Sequence, residues 1–189
     1  MINKKIENIL SHGFRRSKLL FKAAVCFAVL FLCGSFQGNN EISEPTIKAL
    51  FIYNFTKYVE WPVEKDPAHI IIGFYGPSAI IDELKKVCAN KKVKDREVEI
   101  RQANDVNEAE KCDIFFIPQD ESADFSYLNE QLQGKGVLIV TEEDGLGQKG
   151  AAINIIEKDD KIRFELNEAS IKHAGLKISS QLLALAIKL

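Results

Sequence analysis

The sequence predicts an α/β fold, a three-layer sandwich in which helices cover both faces of a mostly parallel sheet. Unbroken apolar runs of strand length recur along the chain, and such runs are typical of parallel strands buried on both faces. Segments with helical periodicity separate these runs, which favours a parallel sheet with right-handed crossovers. We expect a sheet of about four strands, extended at one side by an antiparallel β-hairpin.

A long aromatic helix is predicted at residues 46–62, where the folded domain begins. This stretch contains the only Trp of the chain. Pro45 fits the first turn with Ser43 as the N-cap, and Pro62 ends the helix. We expect the helix to pack on the sheet because its apolar side chains recur at helical spacing, at Ile47, Phe51, Phe55 and Tyr58.

Strands and helices then alternate up to residue 141. The predicted strands are 69–75, 98–101, 113–117 and 136–141. The predicted helices between them are 79–89, 105–111 and a short helix that carries Phe125, Leu128 and Leu132. Ser78 is expected to cap the first of these helices, because its hydroxyl oxygen can accept a hydrogen bond from a free N–H.

The pattern changes after residue 150. Segments 152–156 and 161–166 predict a β-hairpin with Asp159 and Asp160 in its turn. Asn167 is a suitable N-cap for a helix over 168–174, which Gly175 ends or bends. We expect a terminal helix next, whose apolar stripe is formed by Ile178, Leu182, Leu185 and Leu189.

The N-terminal segment has the features of a secretory signal peptide. Basic residues precede an apolar run over 23–33, and the small residues Gly34 and Ser35 follow the run. The run is too short for a membrane-spanning helix, which needs about 20 residues. A retained N-terminal anchor is the alternative interpretation.

The predicted organisation is a signal peptide at 1–35, a linker at 36–42 and one domain at 43–189, which would be periplasmic. Lipid attachment at Cys33 is disfavoured, because Leu32 stands where lipoprotein processing prefers a small residue.

Charge argues against nucleic acid as a partner. Residues 1–35 hold six basic and one acidic side chain, so their removal changes Lys plus Arg from 25 to 19 and Asp plus Glu from 27 to 26. The mature domain then carries a net charge of −7 instead of −2. A negative domain has no electrostatic attraction for a phosphate backbone.

No pattern in the mature domain favours a catalytic, metal or cofactor site. Residues 145–150 fit a dinucleotide-binding glycine motif, but a strand follows instead of the helix that would bind the phosphates, so an exposed flexible loop is expected. The acidic residues 142–144 end a strand, and solvated side chains are the simpler interpretation. His69 and His173 have no neighbour at metal-ligand spacing. We therefore expect a protein that is not an enzyme and needs no cofactor.

Two cysteines, Cys88 and Cys112, remain in the mature domain. In a doubly wound sheet both positions lie at the amino edge of the strands, so a disulfide between them is an expectation in an oxidising compartment. The alternative is two small buried apolar side chains.

Three blocks of the sequence resemble the YfiR-like family of periplasmic signalling regulators. Residues 47–62 are similar to the family's KAxFLYNFxKFxxWP helix. The second block combines Gly150, Ile153 and Asn154 with residues 163–167, and the third is 174–180 with Leu182 and Leu183. The order and spacing of the blocks agree with the family over about residues 43–189.

The resemblance implies a non-enzymatic, secreted α/β domain that regulates signalling through protein contacts. The implied partner is a membrane-bound sensor, either a diguanylate cyclase or a histidine kinase, and an outer-membrane-associated lipoprotein can sequester such regulators. A homodimer is a further expectation. Some members pair a cysteine in the first buried strand with one at the position of Cys112. Gly73 stands there in this chain, which leaves only Cys88 as an intramolecular partner.

Two functions remain open at this point. The first is a regulator that acts through a protein interface, and the second is a small-molecule-binding module with an aromatic pocket near Trp61. The candidate partner- or ligand-binding residues are Tyr53, Asn54, Tyr58, Trp61, Asn154 and Arg163.

Overall fold

The computed structural model describes residues 42–62 and 64–189. The expectations for the signal peptide, and for all of the linker except Ile42, fall outside the described residues. None of the described helices is both long enough and apolar enough to cross a membrane.

The described residues form six α-helices, one 3₁₀ helix (Gln119–Asp124) and ten strands. In chain order these are α1 (Glu44–Tyr58), β1 (Val59–Glu60), β2 (His69–Phe74), α2 (Ile80–Cys88), β3 (Lys92–Val93), β4 (Arg96–Gln102), α3 (Val106–Ala109), β5 (Ile114–Ile117), α4 (Phe125–Gln131), β6 (Leu138–Thr141), β7 (Ile153–Lys158), β8 (Lys161–Leu166), α5 (Glu168–His173), β9 (Lys177–Ile178), α6 (Ser180–Leu185) and β10 (Ile187–Lys188).

Eight strands form the main sheet in the order β10-β8-β7-β6-β5-β2-β4-β3. Strands β4, β2, β5, β6 and β7 are parallel to their neighbours within this group, whereas β7 and β8 form an antiparallel hairpin. The predicted parallel sheet with a hairpin at one side is therefore confirmed. The hairpin turn consists of Asp159 and Asp160, which both have positive φ angles, as a two-residue turn of this hand requires.

Two apolar cores cover the two faces of the sheet and produce the predicted three layers. One core packs α1, α2 and α6 against the side chains of alternate strand residues such as Ile70, Ile72 and Phe116. The other packs α3 and α4 against the residues between them, such as Ile71 and Phe115. Because successive strand residues point to opposite faces, the unbroken apolar runs supply both cores.

Helix α1 lies on the first of these cores. Pro45 is in its first turn and Ser43 holds the N-cap position, as predicted, but the Ser43 side chain makes no capping hydrogen bond to the backbone. The helix ends at Tyr58, earlier than Pro62, because the next two residues form β1 and pair with β9 in a separate antiparallel two-stranded sheet. Asn167 also caps α5 as predicted, since its side chain accepts a hydrogen bond from the N–H of Ser170.

The terminal helix is shorter than its apolar stripe predicts. Ile178 belongs to β9, and Leu189 lies beyond β10, so only Leu182 and Leu185 of the stripe are helical. The very short strands β9 and β10 were not predicted, because two residues cannot show an alternating pattern. Strand β9 pairs with the whole of β1, and β10 pairs with the end of β8.

The structure contradicts a disulfide between Cys88 and Cys112. Both thiols are free. Cys88 lies in the core that contains α1, and Cys112 lies in the core on the opposite face of the sheet. The shared amino edge was correctly inferred from the sequence, but the intervening sheet separates the two side chains.

Gly73 occupies the space beside Cys112. A Cβ atom built on Gly73 would lie 2.5 Å from the Sγ of Cys112 and 3.1 Å from the Cβ of Ala103. The structure thus places Gly73 next to Cys112, where the family resemblance had placed it.

We expect Gly73→Cys to form a disulfide with Cys112 under oxidising conditions. The bond should raise the free energy of unfolding by about 2–4 kcal/mol relative to the reduced variant, since it closes a long loop. The reduced variant should be less stable than the wild type by about 1–3 kcal/mol, because the added atoms overpack this site. Urea unfolding with and without dithiothreitol measures both effects.

Gly73→Ala is the matched control for this experiment. It introduces the same Cβ but no second sulfur, so its stability should be reduced and should not respond to dithiothreitol. Equal free energies of unfolding for oxidised and reduced Gly73→Cys would contradict the placement of these two residues.

Candidate functional site

A groove opens on the surface between α1, β8 and α6. Its cavity volume is about 380 Å³. We call it the α1–β8 groove, and its lining residues are Phe51, Asn54, Phe55, Tyr58, Lys161, Ile162, Arg163, Phe164, Leu182 and Leu185. The groove lies within the size range of protein sites that bind a peptide side chain or a small molecule.

Three phenylalanine rings form the inner wall of the groove. The ring of Phe164 makes edge contacts with Phe55 and Phe51, at centroid distances of 5.3 Å and 5.4 Å. Phe51 and Phe55 lie one helical turn apart and stack at 6.3 Å. Phe55 and Phe164 are buried in the core, whereas Phe51 is only half-buried and reaches the groove surface. The wall is therefore rigid and apolar.

The rim of the groove mixes an exposed apolar side chain with polar ones. Leu185 is 72% exposed, the largest exposed fraction among the large apolar side chains that the structure describes. Asn54 and Tyr58 are half-buried on the α1 side, and Lys161 and Arg163 are exposed on the β8 side. An apolar floor with a polar rim is the usual composition of a protein-binding surface.

One edge of β8 runs along the groove without a strand partner. Strand β10 pairs only with Glu165 and Leu166 of β8. Residues 161–164 have no strand on that side among the described residues. Ile162 and Phe164 direct their backbone N–H and C=O groups outward here, because Lys161 and Arg163 face β7 in the hairpin. A partner strand could therefore hydrogen-bond to this edge.

Three of the six predicted site residues line the α1–β8 groove, namely Asn54, Tyr58 and Arg163. The side chain of Arg163 lies on the sheet face opposite that of Phe164, because successive residues of a strand alternate. Arg163 therefore contributes to the groove at its edge, and Asn54 and Tyr58 contribute from α1.

Tyr53 and Trp61 are not among the groove residues. Tyr53 is buried, with the ammonium groups of Lys57 and Lys91 at 4.2 Å and 5.1 Å from its ring centroid. The indole N–H of Trp61 donates to the carbonyl oxygen of Asp113 at 3.0 Å. This bond ties the segment after β1 to the beginning of β5.

Lys65 anchors the same segment. Its ammonium group donates to the carbonyl oxygens of Glu110 and Cys112 at 2.8 Å and 2.7 Å. Burial lowers the pKa of Lys65 and raises the pKa of the nearby Asp113 carboxyl. Trp61 and Lys65 thus have structural contacts that account for their positions.

Asn154 is fully buried. It is the middle member of a row of hydrogen-bonded polar side chains that crosses β6, β7 and β8. Its Oδ1 accepts from the hydroxyl of Thr141 at 2.7 Å, and its Nδ2 donates to Glu165 at 3.1 Å. Each partner would lose a hydrogen bond if the amide were removed. Asn154 therefore connects β6, β7 and β8 beneath the surface and does not reach a groove.

At the carboxyl edge of the sheet, where α/β proteins often bind ligands, Lys48 forms ion pairs beside an open cavity of about 510 Å³. The ammonium group of Lys48 lies 2.6 Å from carboxylate oxygens of both Glu142 and Glu44. Burial alone would lower the pKa of Lys48, but the hydrogen bonds to the two carboxylates raise it above its ordinary value. Glu142 is thus engaged in a structural pair.

The glycine-rich segment 145–150 is less exposed than predicted. Leu146 and Gly147 are buried, and a Cβ on Gly147 would lie 2.6 Å from a Glu165 oxygen and 2.7 Å from Leu189. The segment packs on the end of the sheet and leads into strand β7, as expected from the sequence. Gly147 is therefore required for close packing.

Chemistry by a thiol or a metal has no support among the described residues. Burial raises the pKa of Cys88 to about 11, and it also raises the pKa of Cys112. Thiols with raised pKa values are poor nucleophiles. No group of three or more His, Cys, Asp or Glu in the described part of the chain is placed to hold a metal ion.

Leu182, Leu185 and Ile162 belong to the groove but were not predicted as site residues. The sequence pattern assigned Leu182 and Leu185 to the buried stripe of a longer helix, and no signal showed that this helix would end at Leu185. The alternating strand pattern marked Ile162 only as a core residue.

The free energy of unfolding of two variants distinguishes the buried structural role of Asn154 from the exposed position of Arg163. Asn154→Ala leaves the Thr141 hydroxyl and the Glu165 carboxylate without their buried partner, so we expect it to lower the free energy of unfolding by about 2–4 kcal/mol. Arg163→Ala removes an exposed side chain and should change it by less than about 0.5 kcal/mol. Urea titrations followed by circular dichroism measure both values, and equal effects would contradict these assignments.

Comparison with known proteins adds to this geometry. A sequence profile of the family described as YfiR/HmsC-like matches residues 45–187. A search of curated protein sequences gave no match.

Two solved structures resemble the chain at 13% identity. A conserved domain protein from Vibrio cholerae O1 biovar El Tor has a TM-score of 0.52, with 77% of this chain and 60% of that chain covered. The ABC domain in complex with L-Trp from Streptococcus pneumoniae has a TM-score of 0.43, with 64% and 54% covered. The chain thus spans less than two thirds of the length of both proteins. The first likeness supports the α/β fold, and the second carries no argument.

The family match extends over nearly all of α1 and over the main sheet except the last residue of β10. This range includes the aromatic helix and the hairpin that together form the α1–β8 groove. The chain therefore belongs to the YfiR/HmsC-like family, whose members are periplasmic regulators of diguanylate cyclase signalling.

Proposed function

We propose that this protein is a non-enzymatic periplasmic regulator that binds a membrane-bound sensor through the α1–β8 groove. The observation that carries the proposal is the combination of an apolar groove and an unpaired strand edge on one surface. Family membership supports the regulatory role, and the groove supplies a surface of the right kind. The sensor would be a diguanylate cyclase or a histidine kinase.

The strand edge suggests how a partner segment would bind. An extended segment of the sensor would add to the outer edge of β8 and hydrogen-bond to the backbone of Ile162 and Phe164. Backbone hydrogen bonds of this kind provide affinity that does not depend on the partner's sequence, whereas pockets for alternate side chains provide specificity. Here the apolar side chains of the partner would enter the space between Phe51, Tyr58 and Leu185.

Local charge supports a partner segment with acidic residues near its apolar ones. Lys161 and Arg163 are exposed beside the groove, although the mature domain as a whole is negative. Exposed charges contribute to the rate and specificity of association more than to affinity.

Regulation would follow from preferential binding to one conformation of the sensor. A regulator that binds the inactive conformation more tightly than the active one shifts the population toward the inactive state. The shift cannot exceed the difference between the two binding free energies. No chemical reaction is needed for regulation of this kind.

The N-terminal segment supports the proposed location. A signal peptide at residues 1–35 would export the domain to the periplasm, where the external part of a membrane sensor is accessible. An outer-membrane-associated lipoprotein is a second proposed partner, since it could sequester the regulator from the sensor.

We predict that Leu185→Asp abolishes regulation while the protein remains folded. Leu185 is exposed, so the change should affect stability little, but a carboxylate would be placed on the apolar rim. In a strain without the gene, cellular cyclic-di-GMP should change, the wild-type gene should restore it, and the variant should restore less than about one tenth of the effect. Extraction and mass spectrometry of cyclic-di-GMP measure the output.

Tyr127→Asp is the matched control, because Tyr127 is 59% exposed on α4, which packs on the opposite face of the sheet. This variant should regulate like the wild type. If Leu185→Asp restored cyclic-di-GMP as well as Tyr127→Asp, the groove would not be the regulatory surface.

A small-molecule-binding function has one observation in its favour, which is the aromatic wall of the groove. A pull-down from solubilised membranes distinguishes the two functions. If Leu185→Asp loses regulation but captures the same sensor as the wild type, the groove binds a small ligand instead of the sensor.

A further inference from the structure

We propose that a cluster of lysines near the amino edge of the main sheet docks this protein on an anionic phospholipid bilayer. The cluster, which we call the lysine patch, consists of Lys57 at the end of α1, Lys85 in the last turn of α2, Lys91 before β3 and Lys92 within it. The inference rests on the proposed periplasmic location but not on the α1–β8 groove, since β3 and β4 lie at the opposite side of the main sheet from β8.

Lysines are dense in this part of the chain. Residues 85–94 contain five lysines and no acidic residue, although the mature domain as a whole has a net charge of −7. All five lysines are exposed. Clusters of about four to eight basic residues are typical of protein segments that bind anionic lipids.

The fold gathers lysines from separate elements on one surface. Lys85, Lys91 and Lys92 line a single cavity of about 520 Å³. The ammonium groups of Lys57 and Lys91 lie 4.2 Å and 5.1 Å from the centroid of the same Tyr53 ring. The end of α1 therefore adds a fourth ammonium group to the three around the cavity.

The cavity combines a cationic rim with an apolar floor. Its three lysines and one carboxylate, that of Glu97, give the lining a net charge of +2. Val98 and Ile100 of β4 are half-buried and form part of the floor. A phospholipid has the matching chemistry, because its phosphate can contact the rim while the adjoining glycerol and acyl carbons cover the floor.

The charge of the patch is only weakly neutralised within the chain. The ammonium group of Lys85 lies 3.8 Å from Asp82, and that of Lys92 lies 3.6 Å from Glu97. All four of these side chains are at least 60% exposed, and exposed pairs of this kind contribute little to stability. Lys91 has no carboxylate partner among the described residues. Lipid phosphates can therefore replace these contacts at low cost.

The acidic side chains of the domain do not cancel this attraction. Residues 142–144 and 120–121 follow β6 and β5 at the carboxyl edge, whereas α2 runs back from that edge and ends beside the patch. Strand β2 has six residues, so the two edges lie about 20 Å apart. Salt screens charges beyond about 8 Å at physiological ionic strength. A bilayer that contacts the patch is therefore attracted by the lysines more than it is repelled by the acidic edge.

The composition of the patch favours a bilayer over an acidic protein. Protein interfaces are enriched in Arg and aromatic residues and depleted in Lys. The patch consists of lysines, and its one neighbouring aromatic ring, that of Tyr53, is buried. Long, flexible lysine side chains suit a fluid surface whose phosphates have no fixed positions.

The test is cosedimentation with protein-free vesicles, using protein purified from the periplasm of cells that express the full chain. One set of vesicles contains phosphatidylcholine alone, and the other contains phosphatidylcholine with phosphatidylglycerol, which is anionic. We expect the wild type to bind only the anionic vesicles, and high salt should release it. Lys91→Glu/Lys92→Glu should weaken binding by at least about tenfold, because each lysine near an anionic surface contributes about fivefold to the affinity.

Lys158→Glu/Lys172→Glu is the matched control, since it changes the net charge equally at two exposed lysines of β7 and α5. This variant should bind the anionic vesicles like the wild type. Leu185→Asp should also bind them normally, so a failure of the groove and a failure of the patch are distinguishable. Melting temperatures show whether each variant is folded.

Three results would overturn the proposal. The first is a wild type that does not bind the anionic vesicles, and the second is equal binding by Lys91→Glu/Lys92→Glu and its control. In the third, the wild type binds native membranes but not protein-free anionic vesicles, and Lys91→Glu/Lys92→Glu loses this binding. The patch would then recognise an acidic membrane protein instead of lipid.

Discussion

The packing of α1 on the sheet is the contact on which the rest of the domain depends. Phe55 is fully buried between this helix and β8, and its ring contacts Phe164 edge-on. Phe51 lies one turn earlier and stacks on Phe55. The contact between Phe55 and Phe164 therefore also fixes which face of α1 is turned toward the groove. Burying one large aromatic side chain stabilises a domain by about 1.5–3 kcal/mol. The interaction that secures the helix therefore also builds the inner wall of the α1–β8 groove.

The layers of the fold could be predicted because their causes are local. Unbroken apolar runs indicated strands with two covered faces, and the structure supplies one core for each face. The hairpin followed from a two-residue turn at Asp159 and Asp160, whose chemistry sets the register of the flanking strands. The cap at Asn167 was also predicted, because N-capping acts within one turn of helix.

Features that depend on distant parts of the chain could not be predicted in the same way. Cys88 and Cys112 share the amino edge but belong to different cores, and the sequence does not show which core each side chain enters. The groove depends on where α6 ends and on how little of β8 is covered by β10. Asn54, Tyr58 and Arg163 lie along one groove because α1 packs directly on β8, and their binding role stays a prediction. Trp61 and Asn154 instead have structural partners.

Hydrogen–deuterium exchange tests most directly whether the α1–β8 groove is the surface that binds the sensor. The exchange of the protein would be measured alone and with the periplasmic part of its captured sensor. We expect slower exchange at the N–H groups of Ile162 and Phe164, which a partner strand would hydrogen-bond, and no change along α4 on the other face. Protection confined to α4 or to other surfaces, with unchanged exchange at residues 161–164, would contradict the account.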